Sequence, residues 1–167
     1  MKDNDKERLP LVDECGNVTG SATRGECHNG SMLLHPVVHL HLFNNQGELY
    51  LQHRPAWKDI QPNRWDTAVG GHIDYGETVE QALRREVLEE VGLEDYVPRL
   101  LTRYVHRSDR EAELVYAYCT TTDQVPHPSD ELDGGRFFTR EEIISQMGSG
   151  FFTPNFEAEW HRLFGAK

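Results

Sequence analysis

Apolar and polar residues alternate along His35–Phe43, with Val38, Leu40 and Leu42 set against His39 and His41. This two-residue period predicts a strand, turned by Asn44-Asn45-Gln46-Gly47 into a second strand over Glu48–His53. Leu11–Glu14 and Val18–Gly20 flank Cys15-Gly16-Asn17 and are expected as two short strands around a turn. Residues 21–34, with Gly25 and Asn29-Gly30, are expected as loop, as is Pro55–Asn63; Asp66–His72 is expected as one strand entering a glycine turn. The period then changes. Over Glu77–Val91 the apolar residues Leu83, Val87 and Val91 recur every four, predicting a helix that Gly92 ends with a left-handed cap. Strands are expected at Arg99–Val105, Leu114–Cys119 and Gly135–Phe138. Thr139 is placed to cap a helix with Ile143, Ile144 and Met147 inward, and Pro154–Phe164 carries Phe156, Trp160 and Phe164 at helical spacing. The pattern describes an α/β domain with one long central helix. Residues 1–9 are expected as a loose tail and residues 10–167 as a single domain, since 167 residues suit one core.

Composition narrows the function classes. Hydrophobic residues make up 37% of the chain, enough to fold, but no apolar run is long enough to span a bilayer. The charged start, Met1–Glu7, lacks the apolar stretch of a secretory signal. Cys15, Cys27 and Cys119 are odd in number and scattered, which argues against a disulfide scaffold and fits a reducing cytoplasm. A net charge of −11 disfavours nucleic acid as a partner. An anionic substrate remains compatible if metal ions reverse the local field.

The chemistry concentrates between Gly71 and Leu93. On a helix, Glu86, Glu89 and Glu90 share a face, beside the buried stripe of Leu83, Val87 and Val91. Carboxylates crowded together repel unless a cation joins them, and oxygen-only ligands suit Mg²⁺ or Mn²⁺. Glu77 and Arg85 can pair to fix the loop against the helix, and the Gly70-Gly71 turn lets backbone approach, so that the Gly71 carbonyl becomes a further ligand. A generic acidic helix face needs no such explanation. Here, however, the whole pattern Gly-x5-Glu-x7-Arg-Glu-aliphatic-x-Glu-Glu-x-Gly-aliphatic is present, which chance would produce at roughly 10⁻⁹ or less per starting position.

This pattern is the Nudix box, and the chain resembles Nudix hydrolases over most of residues 35–145. The resemblance implies a Nudix fold, an α/β/α sandwich around a mixed sheet. It also implies a Nudix-type pyrophosphohydrolase (a phosphoric anhydride hydrolase) in which metal-activated water attacks a nucleoside-diphosphate-linked or other organic diphosphate. Arg85, Glu86, Glu89 and Glu90 are the expected catalytic set. The general base is Glu131, in "SDELDGGRFF", or Glu90 within the metal cluster.

The flanks resemble the isopentenyl-diphosphate isomerase branch of the superfamily. That resemblance implies a second metal at His28, His35, His72, Glu111 and Glu113, a donor set that favours Zn²⁺ or Mn²⁺. His39, His41, His53 and His106 lie nearby in sequence and compete for the assignment. Arg54 and Lys58, with Arg24, match residues that hold the diphosphate. The chain departs from the isomerases at Gly70, where they carry a catalytic Cys, at Asn155, where they carry a Trp, and in its complete carboxylate box. Glycine transfers no proton, so hydrolysis is favoured over isomerisation; a Nudix-fold module that binds without turnover is the third reading. Trp57 and Trp65 are expected to pack rather than stack on a base. The partners expected are a small-molecule diphosphate and a second copy of the chain in a homodimer, with neither nucleic acid nor membrane.

Overall fold

The computed structural model describes residues 7–57, 62–128 and 134–165. Nine strands and four helices follow in the order β1 (Arg8–Val12), β2 (Val18–Thr23), α1 (Arg24–Cys27), β3 (Leu34–Phe43), β4 (Leu49–His53), β5 (Trp65–Thr67), β6 (Val69–His72), α2 (Val79–Val91), β7 (Arg99–Arg107), β8 (Ala112–Thr121), β9 (Gly135–Phe138), α3 (Arg140–Gln146) and α4 (Pro154–Leu163). Strands β1 and β2 form a separate ribbon. The other strands form a seven-stranded sheet in the order β5-β4-β3-β8-β7, with β6 paired to β3 and β9 to β4. The α/β class read from the hydrophobic pattern is the class observed.

Packing divides the chain into two compact units, one made of the residues up to His39, Gly70–Glu86 and Leu100–Tyr118, the other of Leu40–Val69, Val87–Arg99 and the residues from Cys119 onward. In the first, Leu9, Ala22 and Cys27 bury together with Leu11 and Leu33. Residues Arg8 and Leu9, expected in the loose tail, therefore belong to strand β1: Leu9 is fully buried and anchors this cluster. The strand ends at Val12 because the Asp13 carboxylate turns the chain, accepting from the Cys15 and Asn17 amides at 2.9 Å. The stretch 21–34 is not all loop. Strand β2 runs to Thr23, whose hydroxyl caps α1 while Glu26 reaches back to the Thr23 amide, a reciprocal box in a segment without apolar periodicity.

In the second unit, Leu49 and Leu51 of β4 meet Phe138, Ile143, Phe152, Phe156 and Trp160, with Trp65, Met147, Phe151 and Phe164 packed around them. The register places Leu49 opposite Phe138. Helix α3 has the expected Thr139 cap, with Glu142 closing the box. Ile143 is buried as anticipated but Ile144 is 52% exposed, since one helical step turns it off the core face. Trp65 packs against Phe138 and Phe151, as expected, whereas Trp57 is 69% exposed. The strand expected over Asp66–His72 is broken at Ala68 into β5 and β6.

Candidate metal centre

Helix α2 begins two residues later than its apolar stripe suggested. The Thr78 hydroxyl accepts from the Gln81 amide at 3.1 Å and the Gln81 side chain accepts from the Thr78 amide at 2.9 Å, so Thr78 is the cap. Glu77 is held outside the helix because its carboxylate accepts from the Asp74 amide at 2.9 Å and from Arg85 at 2.7 and 2.9 Å. Burial opposes ionisation of Glu77, but the hydrogen bonds from Arg85 and the Asp74 amide, with the Arg85 charge, together outweigh it and hold the carboxyl below its ordinary range. At the far end Gly92 adopts φ 69°, the left-handed cap anticipated, and its amide donates to Val87 and Leu88 at 3.1 Å. Leu83, Val87 and Val91 are buried, which turns Glu86, Glu89 and Glu90 to the neighbouring face.

Those carboxylates differ in setting. Glu86 is buried, Glu90 half-buried and Glu89 exposed. Arg85 donates to Glu86 at 2.9 Å and to the His72 carbonyl at 3.1 Å, tying the helix to the end of β6. A β-carbon at Gly71 would overlap the Glu86 carboxylate, so only glycine permits this approach. Glu90 accepts from the amide of Gln52 at 3.2 Å. Gln52 was not singled out by sequence; its only signal is one amide in the apolar strand Leu49–His53.

The second set converges as the resemblance implied. His28 closes α1, His35 lies on β3, His72 ends β6, and Glu111 and Glu113 lie at the start of β8. Within His28, His35 and His72, and again within His35, Glu111 and Glu113, potential ligand atoms lie within 4.8 Å of one another. The Nε2 atoms of His28 and His72 face each other at 3.2 Å. Glu111 Oε1 is 3.1 Å from His28 Nε2 and 3.4 Å from His35 Nε2. These contacts are not aligned as hydrogen bonds to Oε1, so His35 Nε2 and Glu111 Oε1 are both buried without a hydrogen-bond partner. Burial alone would raise the Glu111 carboxyl, but the imidazoles facing it hold it well below its ordinary range. Burial and then the Arg24 guanidinium hold His72 well below its ordinary value, in the neutral form that ligates metal. Nitrogen and oxygen ligand atoms that converge while two of them are buried without a hydrogen bond fit a cation, and three imidazoles with two carboxylates fit a transition metal.

Arg24 donates to His72 Nδ1 at 2.6 Å and lies 3.9 Å from Glu7. Arg54 lies 3.9 Å from Asp66 in the second unit. Lys58 and Glu131 lie outside the described residues. Gly70 faces the His39 ring, with 3.4 Å between a β-carbon built there and His39 Cδ2. His41 is not part of the cluster: it is paired with Glu159 at 2.5 Å in the second unit.

With this geometry in place, comparison with known proteins supplies the family. The fold is first an α/β arrangement shared with solved Nudix structures. The crystal structure of DR0079 from Deinococcus radiodurans superposes with a TM-score of 0.80 at 27% identity, covering 95% of this chain and 99% of that one. The NUDIX domain family then matches residues 33–157 directly, and the chain belongs to it. A Nudix hydrolase of Listeria monocytogenes is 32% identical over 154 residues, 90% of each chain. A Pectobacterium atrosepticum protein named isopentenyl-diphosphate Delta-isomerase is 30% identical over 162 residues, 94% of this chain and 88% of its own. The enzyme class is that of the Nudix-type hydrolases.

Proposed function

We propose that the protein is a metal-dependent hydrolase that cleaves the diphosphate linkage of a nucleoside diphosphate derivative or another organic diphosphate. The observation that carries this reading is the complete carboxylate set on α2, with Glu86 seated against Gly71 and held by Arg85. Glu86, Glu89, Glu90 and the Gly71 carbonyl would hold Mg²⁺ or Mn²⁺; His28, His35, His72, Glu111 and Glu113 would hold a second, transition metal, Zn²⁺ or Mn²⁺. Such cations supply Lewis acidity toward the phosphoryl oxygens and lower the pKa of water. Around them the protein binds and orients. Arg24, Arg54 and Lys58 grip phosphate oxygens, Arg85 fixes Glu86, and Glu131 or Glu90 accepts the proton of the attacking water. We place the enzyme in the cytoplasm, in keeping with Cys15, Cys27 and Cys119 being free thiols, and take the chain from strand β1 onward as one functional domain able to form a homodimer.

Isomerisation of isopentenyl diphosphate is the second reading, favoured by the His/Glu cluster and by relatives of that name. Gly70 counts against it, because it offers no group to move a proton at carbon. A screen of organic diphosphates for release of phosphate or monophosphate, with Mg²⁺ and with Mn²⁺, tests hydrolysis. Incubation with isopentenyl diphosphate in D₂O, read by NMR, tests the alternative. Hydrolysis of at least one compound and no deuterium incorporation are expected; the dimethylallyl isomer would overturn the proposal.

A further inference from the structure

Gln52 is a buried amide, 8% exposed, on strand β4. Its neighbours Leu49 and Leu51 supply the aromatic core of the second unit, and a leucine would fill position 52 equally well for burial. Instead its Nε2 faces three oxygens at hydrogen-bond distance, so that one of its two N–H groups is shared: the Thr67 carbonyl at 3.0 Å, the Ala68 carbonyl at 3.2 Å and Glu90 Oε1 at 3.2 Å. Three acceptors around one nitrogen settle the orientation of the amide, since the flipped form would set its oxygen against all three. The two carbonyls belong to the break between β5 and β6 and are rigid backbone. The amide is therefore a fixed strut whose remaining contact is a carboxylate of α2.

The chemistry of the donor matters. Arg85 holds Glu86 through a guanidinium, which orients that carboxylate and also offsets its charge. Gln52 is neutral, so it orients Glu90 without adding a positive charge beside it. A carboxylate meant to attract a cation is best aimed by a neutral donor, because a cationic one competes with the metal.

We infer that Gln52 is a positioning residue for Glu90, aiming its carboxylate toward the divalent cation. The inference rests on the proposed metal role of Glu90 and deepens it. The test uses Mn²⁺ alone, titrated into the full chain with free Mn²⁺ read by EPR. Two classes of binding are expected, one weakened but still measurable in Glu90→Gln and the other lost in His35→Ala. Gln52→Met should weaken the Glu90-dependent class by roughly tenfold while leaving the His35-dependent class unchanged. On the Glu90→Gln background, Gln52→Met should have no further effect, a non-additivity that a merely structural residue would not show. Gln52→Asn, which keeps a polar amide for the strand break but shortens its reach, should weaken the same class, and circular dichroism verifies folding of each variant. Unchanged Mn²⁺ affinity in folded Gln52→Met and Gln52→Asn, or equal weakening of both classes, would overturn the inference while leaving the metal reading intact. Wild-type Mn²⁺ binding in Glu90→Gln would instead sink the metal role of Glu90, and the inference with it.

Discussion

Two regions of the molecule place imidazole against carboxylate, and they serve opposite ends. In the second unit His41 and Glu159, 0% and 1% exposed, are paired at 2.5 Å, with the His41 ring edge-on to Phe164. In the first unit three imidazoles and two carboxylates face one another, and two of their ligand atoms are buried without a hydrogen bond. Their pairing occupies the imidazole nitrogen and the carboxylate oxygen that would bind metal, in a region closed to solvent. A cluster with buried ligand atoms that lack hydrogen bonds is unsatisfied as it stands, and a cation would satisfy it. Proximity of His to Glu is therefore no sign of a metal site; a surplus of converging lone pairs is. His41 Nδ1 qualifies the contrast, being buried without a hydrogen-bond partner itself, yet among the described residues His41 belongs to no group of three or more potential ligands.

Removing one partner tests each side of this comparison. Glu159→Ala strips the acceptor from a buried imidazole, and a loss of about 3–5 kcal/mol of stability is expected, with bound metal unchanged. The double variant His41→Phe/Glu159→Leu should recover most of that loss, because an apolar pair replaces a buried polar one. His35→Ala should do the reverse, giving up the transition metal at far smaller cost to the metal-free fold. Urea denaturation of metal-free protein, alongside metal analysis of untagged protein, reads both quantities. A metal loss in Glu159→Ala that matched the one in His35→Ala would erase the distinction.

The carboxylates of α2, proposed to hold a cation, extend the comparison to a set that runs from buried Glu86 to exposed Glu89. Glu89→Gln or Glu90→Gln removes a ligand oxygen and keeps the shape. A fall in kcat of roughly 10²-fold or more is expected, with little change in the Tm of the metal-free protein, once a substrate is found in the screen. Wild-type turnover in both variants would leave α2 an ordinary acidic helix.

A smaller effect comes from Glu77, whose carboxylate anchors Arg85 rather than a metal. Its folded-state pKa lies below the ordinary value of 4.5 because burial is outweighed by the Arg85 and Asp74 hydrogen bonds and the Arg85 charge taken together. Such a group contributes stability above its unfolded pKa and loses it as pH falls through the lower, folded value. Glu77→Gln should therefore cost about 1 kcal/mol at pH 7 and flatten the acid limb of the stability curve below pH 4.5. Urea midpoints of both proteins across that range check it; parallel curves would contradict it.

What was legible in the chain followed from local physics. The stripe of Leu83, Val87 and Val91, the Gly92 stop and the Thr139 cap are fixed by neighbours in sequence, and each is found in place. The five-residue His/Glu set came from resemblance, not spacing, because its members are scattered over α1, β3, β6 and β8. The illegible parts depend on distant partners or on signals too short to stand out. Helix α1 has only its Thr23–Glu26 box to announce it. Glu159 reads as a solvated acid until His41, 118 residues away in sequence, is brought against it. Gln52 finds Glu90 across 38 residues and Arg24 finds His72 across 48, and nothing in local pattern encodes either contact.

The Arg24–His72 contact gives the mildest test of the comparison. A guanidinium keeps its protons at any working pH, so its N–H donates and His72 Nδ1 accepts, at 2.6 Å. That bond keeps His72 neutral, which helps ligation, but it also sets a fixed positive charge at the edge of the cluster and leaves the ring proton of the neutral imidazole on Nε2, facing His28. Metal binding through His72 Nε2 then requires that proton to move to Nδ1, and so requires Arg24 to release it. Arg24→Ala removes both the charge and the competing hydrogen bond. Affinity of the His/Glu cluster for Zn²⁺, measured by competition with a chelating dye, should rise about threefold. Binding of inorganic diphosphate to the metal-loaded protein should weaken in the same variant if Arg24, once released, grips phosphate. Weaker Zn²⁺ binding in Arg24→Ala would show that the guanidinium supports the cluster rather than competing with its metal.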